Sequence, residues 1–261
     1  MNCARLSLAH SLSPGSGTQW VSKYLETCGH MARSRKLDLS EVLAAHGNVP
    51  AANIQTSFAD MTLNKKDPDL LFEAIRTRRS FSLNGLDSES IDQKLIERML
   101  EAANWAPTHK KTEPWRFVVY QDKERQVLSD AFGEAYRQIA TGDDFSKARF
   151  QVLQDKVWQA PVWIALGMAR DPALPEWEEI VAFGCAVHNA QLMACSMGLG
   201  CKWTSGATSV HQHVAKAVGF APDIRLFGFL YVGRPTSSWP EGHRGPATAK
   251  IRWASSPQKK A

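Results

Sequence analysis

The 261-residue chain has no C-x-x-C pair, and its five cysteines (Cys3, Cys28, Cys185, Cys195, Cys201) are an odd count with no histidine at zinc-ligand spacing. A disulfide framework and a structural metal are therefore not expected to organise the fold. The formal charge of +5 is mild. No compact basic cluster with interleaved aromatics accompanies it, so nucleic acid is not an expected partner. G-x-S-x-G, P-loop, H-E-x-x-H and G-x-G-x-x-G patterns are all missing. Nucleophilic hydrolysis, P-loop nucleotide binding, zinc-protease chemistry and Rossmann-type binding thus lose their usual signals. From Ile180 to Cys201 no residue is formally charged, a length that raises a membrane helix. His188, Asn189 and Gln191 sit in its middle among many glycines and alanines, which makes insertion costly, so the stretch reads as a buried soluble helix with no membrane partner.

Residues 1–36 carry Arg5, Lys23, Arg33, Arg35 and Lys36 against Glu26 alone, with six serines. That basic, Ser-rich, acid-poor composition is the one found in organellar transit peptides, and it places the protein in a mitochondrial or plastid matrix if it serves that purpose, in the cytoplasm if it does not. Leu39 to Ala45 could form a short helix before a polar linker, and residues 1–60 are set apart from the folded domain as an N-terminal extension, largely disordered. The domain is expected over 67–235 and a surface-packing tail, on the domain or on a partner subunit, over 236–261.

Asp67-Pro68 starts a helix as N-cap and first-turn proline, with Leu70, Leu71, Ala74 and Ile75 at helical spacing. A second helix, capped by Ser88 or Ser90, presents Ile91, Leu95, Ile96, Met99, Leu100 and Ala103 on one face, and Pro107 stops it. The loop Ala106-Pro107-Thr108-His109-Lys110-Lys111-Thr112-Glu113-Pro114-Trp115 follows, then a strand at 116–120. Helices are expected at 123–140 and 144–158, and a buried strand at 162–166. A long helix over 176–197 has small residues (Ala182, Gly184, Ala186, Ala190, Ala194) that would admit another helix closely, a second subunit being one candidate source. Trp203 to Gly206 reads as a short polar segment, 209–218 as a helix capped by Ser209, 226–232 as a central strand and 250–253 as strand-like. His211 and His213 read as surface residues. The order is not a regular βαβ alternation, which points to α+β.

The loop at 106–115 offers hydroxyl, imidazole and ammonium donors beside a large aromatic, a set suited to something anionic and flat. Arg78-Arg79-Ser80 adds guanidinium forks and a hydroxyl that match a phosphate, and one helical hairpin separates the two segments, so both could reach a single pocket.

These pieces resemble the nitroreductase-like family of FMN-dependent oxidoreductases, within it the small bacterial NAD(P)H nitroreductases. The resemblance rests on R-R-S at 78–80, A-P-T-H-K-K-T-E-P-W-R-F-V-V from 106, A-P-V at 160–162, G-L-G and W-T-S-G-A between 198 and 207, and G-F-L-Y-V-G-R-P at 228–235. It implies a dimeric three-layer sandwich, a central mostly antiparallel sheet flanked by helices, with flavin at the subunit interface. By the same resemblance Arg78, Arg79 and Ser80 contact FMN from one subunit, Trp105 and His109 lie near it, and Trp203, Thr204 and Ser205 line its other side. Met193, Ala194, Cys195, Ser196, Met197 and Gly198 would receive the NADH or NADPH donor. The implied activity is electron transfer from NAD(P)H to a nitroaromatic or quinone in a ping-pong scheme, with no protein nucleophile. A same-fold enzyme using an enone, a halogenated aromatic or oxygen, and a flavin binder without turnover, are the alternatives. The chain differs from many members in having Ser82 where they have a basic residue, and Lys111-Thr112-Glu113-Pro114-Trp115 where they have N-x-Q-P-W.

Overall fold

The computed structural model describes residues 67–254. The expectations for residues 1–60 lie outside the described residues, as does the tail beyond 254.

Helix α1 (Asp67–Thr77) has proline in its first turn, where the missing N–H costs nothing. Helix α2 (Gln93–Asn104) is capped by Asp92, whose carboxylate accepts from the Lys94 N–H at 2.9 Å. The expected caps Ser88 and Ser90 are displaced because Asp92 stands nearer the first helical turn, where its short acidic side chain reaches an unpaired N–H. Strand β1 (Trp115–Gln121), helix α3 (Gln126–Ile139), helix α4 (Lys147–Asp155) and strand β2 (Val162–Ala169) come next. Helix α5 (Glu176–Ser196), strand β3 (Gly200–Thr204), helix α6 (Gln212–Ala217) and strand β4 (Ile224–Gly233) complete the set.

The strands form one sheet in the order β1-β2-β4-β3, every neighbouring pair antiparallel. Successive side chains of a strand point to opposite faces, and β2 uses both. Val162, Ile164, Leu166 and Met168 join a core with Ile96, Met99 and Ala103 of α2 and Ala182, Phe183, Ala186 and Ala190 of α5. Trp163 and Ala165 join a second core with Leu128 and Phe132 of α3 and Val214 of α6. Helices therefore cover both faces, an α+β arrangement, and each fully buried Leu, Ile or Phe contributes about 1.5–3 kcal/mol. The alanines of α5 admit a neighbouring helix, and that helix is α2 of the same chain. Gly184 lies elsewhere, with open space where a side chain would be. Among the described residues no helix is long and apolar enough to cross a membrane.

Three local expectations are corrected. Trp203-Thr204 belongs to edge strand β3 because the backbone pairs with Leu230 and Phe229 of β4, a tertiary contact that local polarity does not report. Helix α6 begins at Gln212, capped by His211 accepting from the His213 N–H at 3.2 Å, while Ser209 is buried and both histidines are half-buried. Residues 251–253 form no strand, no strand among the described residues lying beside them, and Trp253 is exposed.

Strand β4 is not regular. Phe227 and Gly228 together stand opposite Leu166, a bulge that lets Leu226 and Phe229 share one face while Phe227 and Leu230 share the other. Gly228 has φ +106°, and a Cβ there would fall on the Thr204 carbonyl oxygen. Gly228→Ala is expected to destabilise the fold by about 2–4 kcal/mol, through positive-φ strain plus the displaced edge strand. Urea unfolding should show this as a lower midpoint with an unchanged slope.

Candidate functional site

Residues Arg78-Arg79-Ser80 leave the end of α1 and are tied to the outer edge of the sheet. Ser80 bridges Cys201 of β3, the Phe81 N–H donates to the Cys201 carbonyl at 3.1 Å, and the Tyr231 hydroxyl donates to the Phe81 carbonyl at 2.8 Å. Ser80 itself is exposed and Arg78 half-buried. The Arg78 guanidinium has no hydrogen bond or ion pair with another described residue, although its charge acts on the Cys201 thiol. An unpaired guanidinium beside a free-facing hydroxyl is a donor set for a phosphate-type anion.

Trp203 is two residues further along β3. Its indole N–H donates to the Phe227 carbonyl at 2.8 Å, and its ring meets Phe183 edge-on. Thr204 carries the carbonyl that lies against Gly228. Ser205 is exposed at the rim of a cavity of about 410 Å³ shared with Arg225 and Phe227. Met193 to Gly198 form the last turn of α5 and the turn beyond it. Gly198 takes φ +72° and Leu199 N–H returns to the Ala194 carbonyl at 2.9 Å, so the chain enters β3 directly. The turn, β3 and the arginine segment therefore form one cluster.

Trp105 and His109 do not join it. Trp105 is 72% exposed at the end of α2, its N–H donating to Glu101 at 2.8 Å. His109 Nδ1 lies 3.4 Å from Glu178 Oε2 in the first turns of α5. Glu178 to Met193 along that helix, at about 1.5 Å per residue, is on the order of 22 Å. Their loop leads into β1, on the opposite edge of the sheet from Ser80. Three strand spacings of about 4.8 Å separate the two edges, and the bridge that holds Ser80 outside β3 adds a fourth, on the order of 19 Å in all. The expectation that a helical hairpin would bring both segments to one pocket of one chain is thus overturned: α2 crosses the sheet face and delivers its loop to the far edge.

That loop is backbone-strained. Lys110, Lys111 and Glu113 have φ of 49°, 57° and 45°, a region non-glycine residues rarely adopt. Side chains hold it there: the Thr108 and Thr112 hydroxyls are 3.1 Å apart, Glu113 N–H donates to Thr108 Oγ1 at 3.1 Å, and Trp115 Nε1 donates to Asn104 Oδ1 at 3.1 Å. Strain over-determined in this way marks sites where a loop shape is needed.

The sequence predicts a surface-packing tail, but not its contact with the arginine segment. Trp239 donates its indole N–H to the Thr77 carbonyl at 2.6 Å and stacks edge-on against Phe81 at 4.8 Å, and Gly242 lies directly on the Arg79 guanidinium. The only linear signal was tryptophan and glycine in a proline-rich stretch.

A family model described as "Nitroreductase family" matches residues 75–234. The chain is 31% identical over 168 residues to "Putative NAD(P)H nitroreductase YdjA" of Escherichia coli (strain K12), covering 62% of this chain and 87% of that protein. The solved structure of a nitroreductase-like family protein from Bacillus cereus superposes with a TM-score of 0.63 at 27% identity, covering 71% of this chain and 96% of that one. NfnB of Mycobacterium smegmatis, described as an FMN-dependent nitroreductase in complex with NADPH, shares the fold with a TM-score of 0.59 at 13% identity, over 72% and 99% of the two chains.

Within the cluster, burial pushes the Cys201 thiol up to about 12, against the opposing charge of Arg78. The thiol therefore stays protonated at pH 8, and protonated thiols are poor nucleophiles. Native-state alkylation with iodoacetamide at pH 8, mapped by mass spectrometry, is expected to leave Cys201 unmodified and to label it only on unfolding.

Proposed function

The chain belongs to the nitroreductase family, and on that premise we propose that it is an FMN-dependent oxidoreductase taking electrons from NADH or NADPH to an electron-poor acceptor such as a nitroaromatic or a quinone. The observation that carries this reading is the half-buried Arg78 guanidinium, without a protein partner among the described residues, beside the exposed Ser80 hydroxyl. A buried or half-buried cation is normally paired, and the family's cofactor ends in a phosphate that would pair it.

FMN, when bound, supplies the redox chemistry of accepting and passing on a hydride equivalent. The chain's own residues hold and shield it. Arg78 and Ser80 retain the phosphate. Trp203 and Thr204 form a rigid wall, because β3 is locked to β4 and the Trp203 indole is tied to the Phe227 carbonyl. The nicotinamide donor would bind beside the turn at Met193 to Gly198 and leave, and the acceptor would take the same place in a ping-pong scheme, with Ser205 at the other end of β3 lining the flavin.

Trp105 and His109 enter the reading through a second copy. With the two groups of site residues on the order of 20 Å apart in one chain, a two-fold related partner would bring its strained loop to this chain's arginine segment, and the reverse. An exposed apolar surface suits such a homodimer. Leu70, Leu71, Phe72 and Ile75 of α1 and Trp177, Ile180 and Val181 of α5 are uncovered on helices that touch each other, and patches of this kind mark association surfaces.

Two measurements test the proposal. Purified protein should carry a flavin absorbance spectrum, bleach rapidly with NADPH or NADH in stopped flow and reoxidise with a nitroaromatic or quinone. A flavin that stays oxidised would leave a binding protein without turnover. Arg78→Ala should raise the FMN dissociation constant about ten- to two-hundredfold, the loss of a charge-assisted hydrogen bond. Reduction in flavin-loaded protein should change little, because the phosphate end is remote from the reacting ring. Light scattering is expected to give a dimer; a monomer that retains FMN tightly would sink the shared-site arrangement.

A further inference from the structure

The second arginine of the R-R-S segment is engaged quite differently from the first. Arg79 Nη1 donates to the carbonyls of Arg76 at 2.8 Å and Arg78 at 2.7 Å. These carbonyls lie at and just beyond the end of α1, where helix geometry leaves acceptors unpaired. The guanidinium plane is covered by Gly242, so closely that a Cβ at 242 would fall inside it, and the Arg79 Nε–H is buried without an acceptor. A fork with one limb on backbone carbonyls and its plane under a glycine cannot present itself bidentately to a ligand.

The segment carrying Gly242 is a strap fastened along its length. Asp87 N–H donates to the Arg234 carbonyl at 2.9 Å, Leu86 bridges Pro235, and Thr236 N–H donates to the Gly85 carbonyl at 3.0 Å. Arg234 reaches the Ser90 carbonyl at 2.8 Å, and Trp239 ties the strap to Thr77 and Phe81. Trp239 thus holds Thr77 and Phe81 on either side of the segment Arg78 to Ser80, and Gly242 covers the Arg79 side chain between them.

We propose that Arg79 is a positioning residue, the clasp that holds this C-terminal strap across the arginine segment, and that it acts on a bound phosphate through the fixed backbone of Arg78 and Ser80 without touching it. The ligand half of this inference rests on the FMN reading above; the clasp itself does not. At 242 a side chain is opposed by space and not by backbone angle, since it must displace the guanidinium from its place on the carbonyls.

The test uses full-length apoprotein of the wild type and of Gly242→Ala, Arg79→Ala and Arg78→Ala, with two readouts: the initial rate of tryptic cleavage after Arg244, and the FMN dissociation constant by titration. Gly242→Ala keeps every charge, yet it should speed cleavage about tenfold or more by raising the population of the open strap. The same variant should weaken FMN binding about three- to tenfold. Arg79→Ala should reproduce both changes. Arg78→Ala should weaken FMN more and leave cleavage at the wild-type rate. If Arg79→Ala weakens FMN as much as Arg78→Ala while the strap stays protected, Arg79 is a direct ligand and the proposal is overturned; unchanged cleavage in Gly242→Ala overturns it as well. Should either variant fold poorly by circular dichroism, Trp239→Phe, which removes the indole N–H and keeps a ring against Phe81, must give faster cleavage in its place, and wild-type cleavage there counts against the clasp. Wild-type protein that takes up no FMN would end the functional reading, while the cleavage rates would still decide the clasp.

Discussion

A four-stranded sheet whose inner strands bury side chains on both faces constrains everything else in this molecule. Strand β2 sends Val162, Ile164, Leu166 and Met168 to one core and Trp163 and Ala165 to the other, all essentially without solvent contact. Water is thus excluded from both faces. Uncompensated polar groups there would cost on the order of 1–3 kcal/mol each by mutational measures, and the candidate site residues accordingly stand at the sheet's two edges and its ends. Arg78 and Ser80 lie beside edge strand β3, and the loop carrying Thr108 and His109 leads into edge strand β1.

The division of the polar residues between two edges explains features that look unrelated. Helix α5 runs the length of the sheet, with Glu178 beside His109 near its start and Met193 to Gly198 beside β3 at its end. Its alanines are consumed inside the chain against α2, so the face that carries Trp177, Val181 and Gly184 is left open. Helix α1 is apolar on a side that no described residue covers. Two separated groups of candidate residues, and an apolar flank that no described residue covers, are the geometry from which the dimeric proposal is drawn.

Rigidity near the arginine segment comes from crossing hydrogen bonds, not from charge pairing. Tyr231 and Cys201 hold the Phe81 backbone, Trp239 holds Thr77, and Arg79 holds the carbonyls of Arg76 and Arg78. Burial raises the Tyr231 hydroxyl and the Cys201 thiol, both to about 12, so the hydroxyl remains a neutral donor and the thiol stays uncharged through the physiological range, while Cys201 holds Phe81 through its backbone carbonyl. Arg78 is left as the cation with nothing to satisfy it among the described residues. On the opposite edge the loop is fixed by two threonines in a conformation its lysines would not choose alone, a second place where neighbours impose shape on the backbone.

Elements whose signal is local were legible in the linear chain. The periodic apolar residues of α2, α3 and α5, the apolar runs of β2 and β4, and the stop at Pro107 all report on neighbours within a few residues, and the structure places these elements with only their ends shifted. The R-R-S and 106–115 segments were visible because prolines, basic side chains and hydroxyls in a fixed loop carry chemical meaning without coordinates. What tertiary structure decided is everything that depends on partners distant in sequence. Thr204 is a strand residue because β4 stands beside it, the bulge position 228 needs glycine because the Thr204 carbonyl occupies the space of its Cβ, and Arg79 is covered because a tail more than 150 residues away folds over it. The same holds for the separation of Trp105 and His109 from Arg78. A hairpin of one helix says how many residues lie between two loops, whereas the edge of the sheet to which each loop is delivered is set by strand order, which no local pattern encodes.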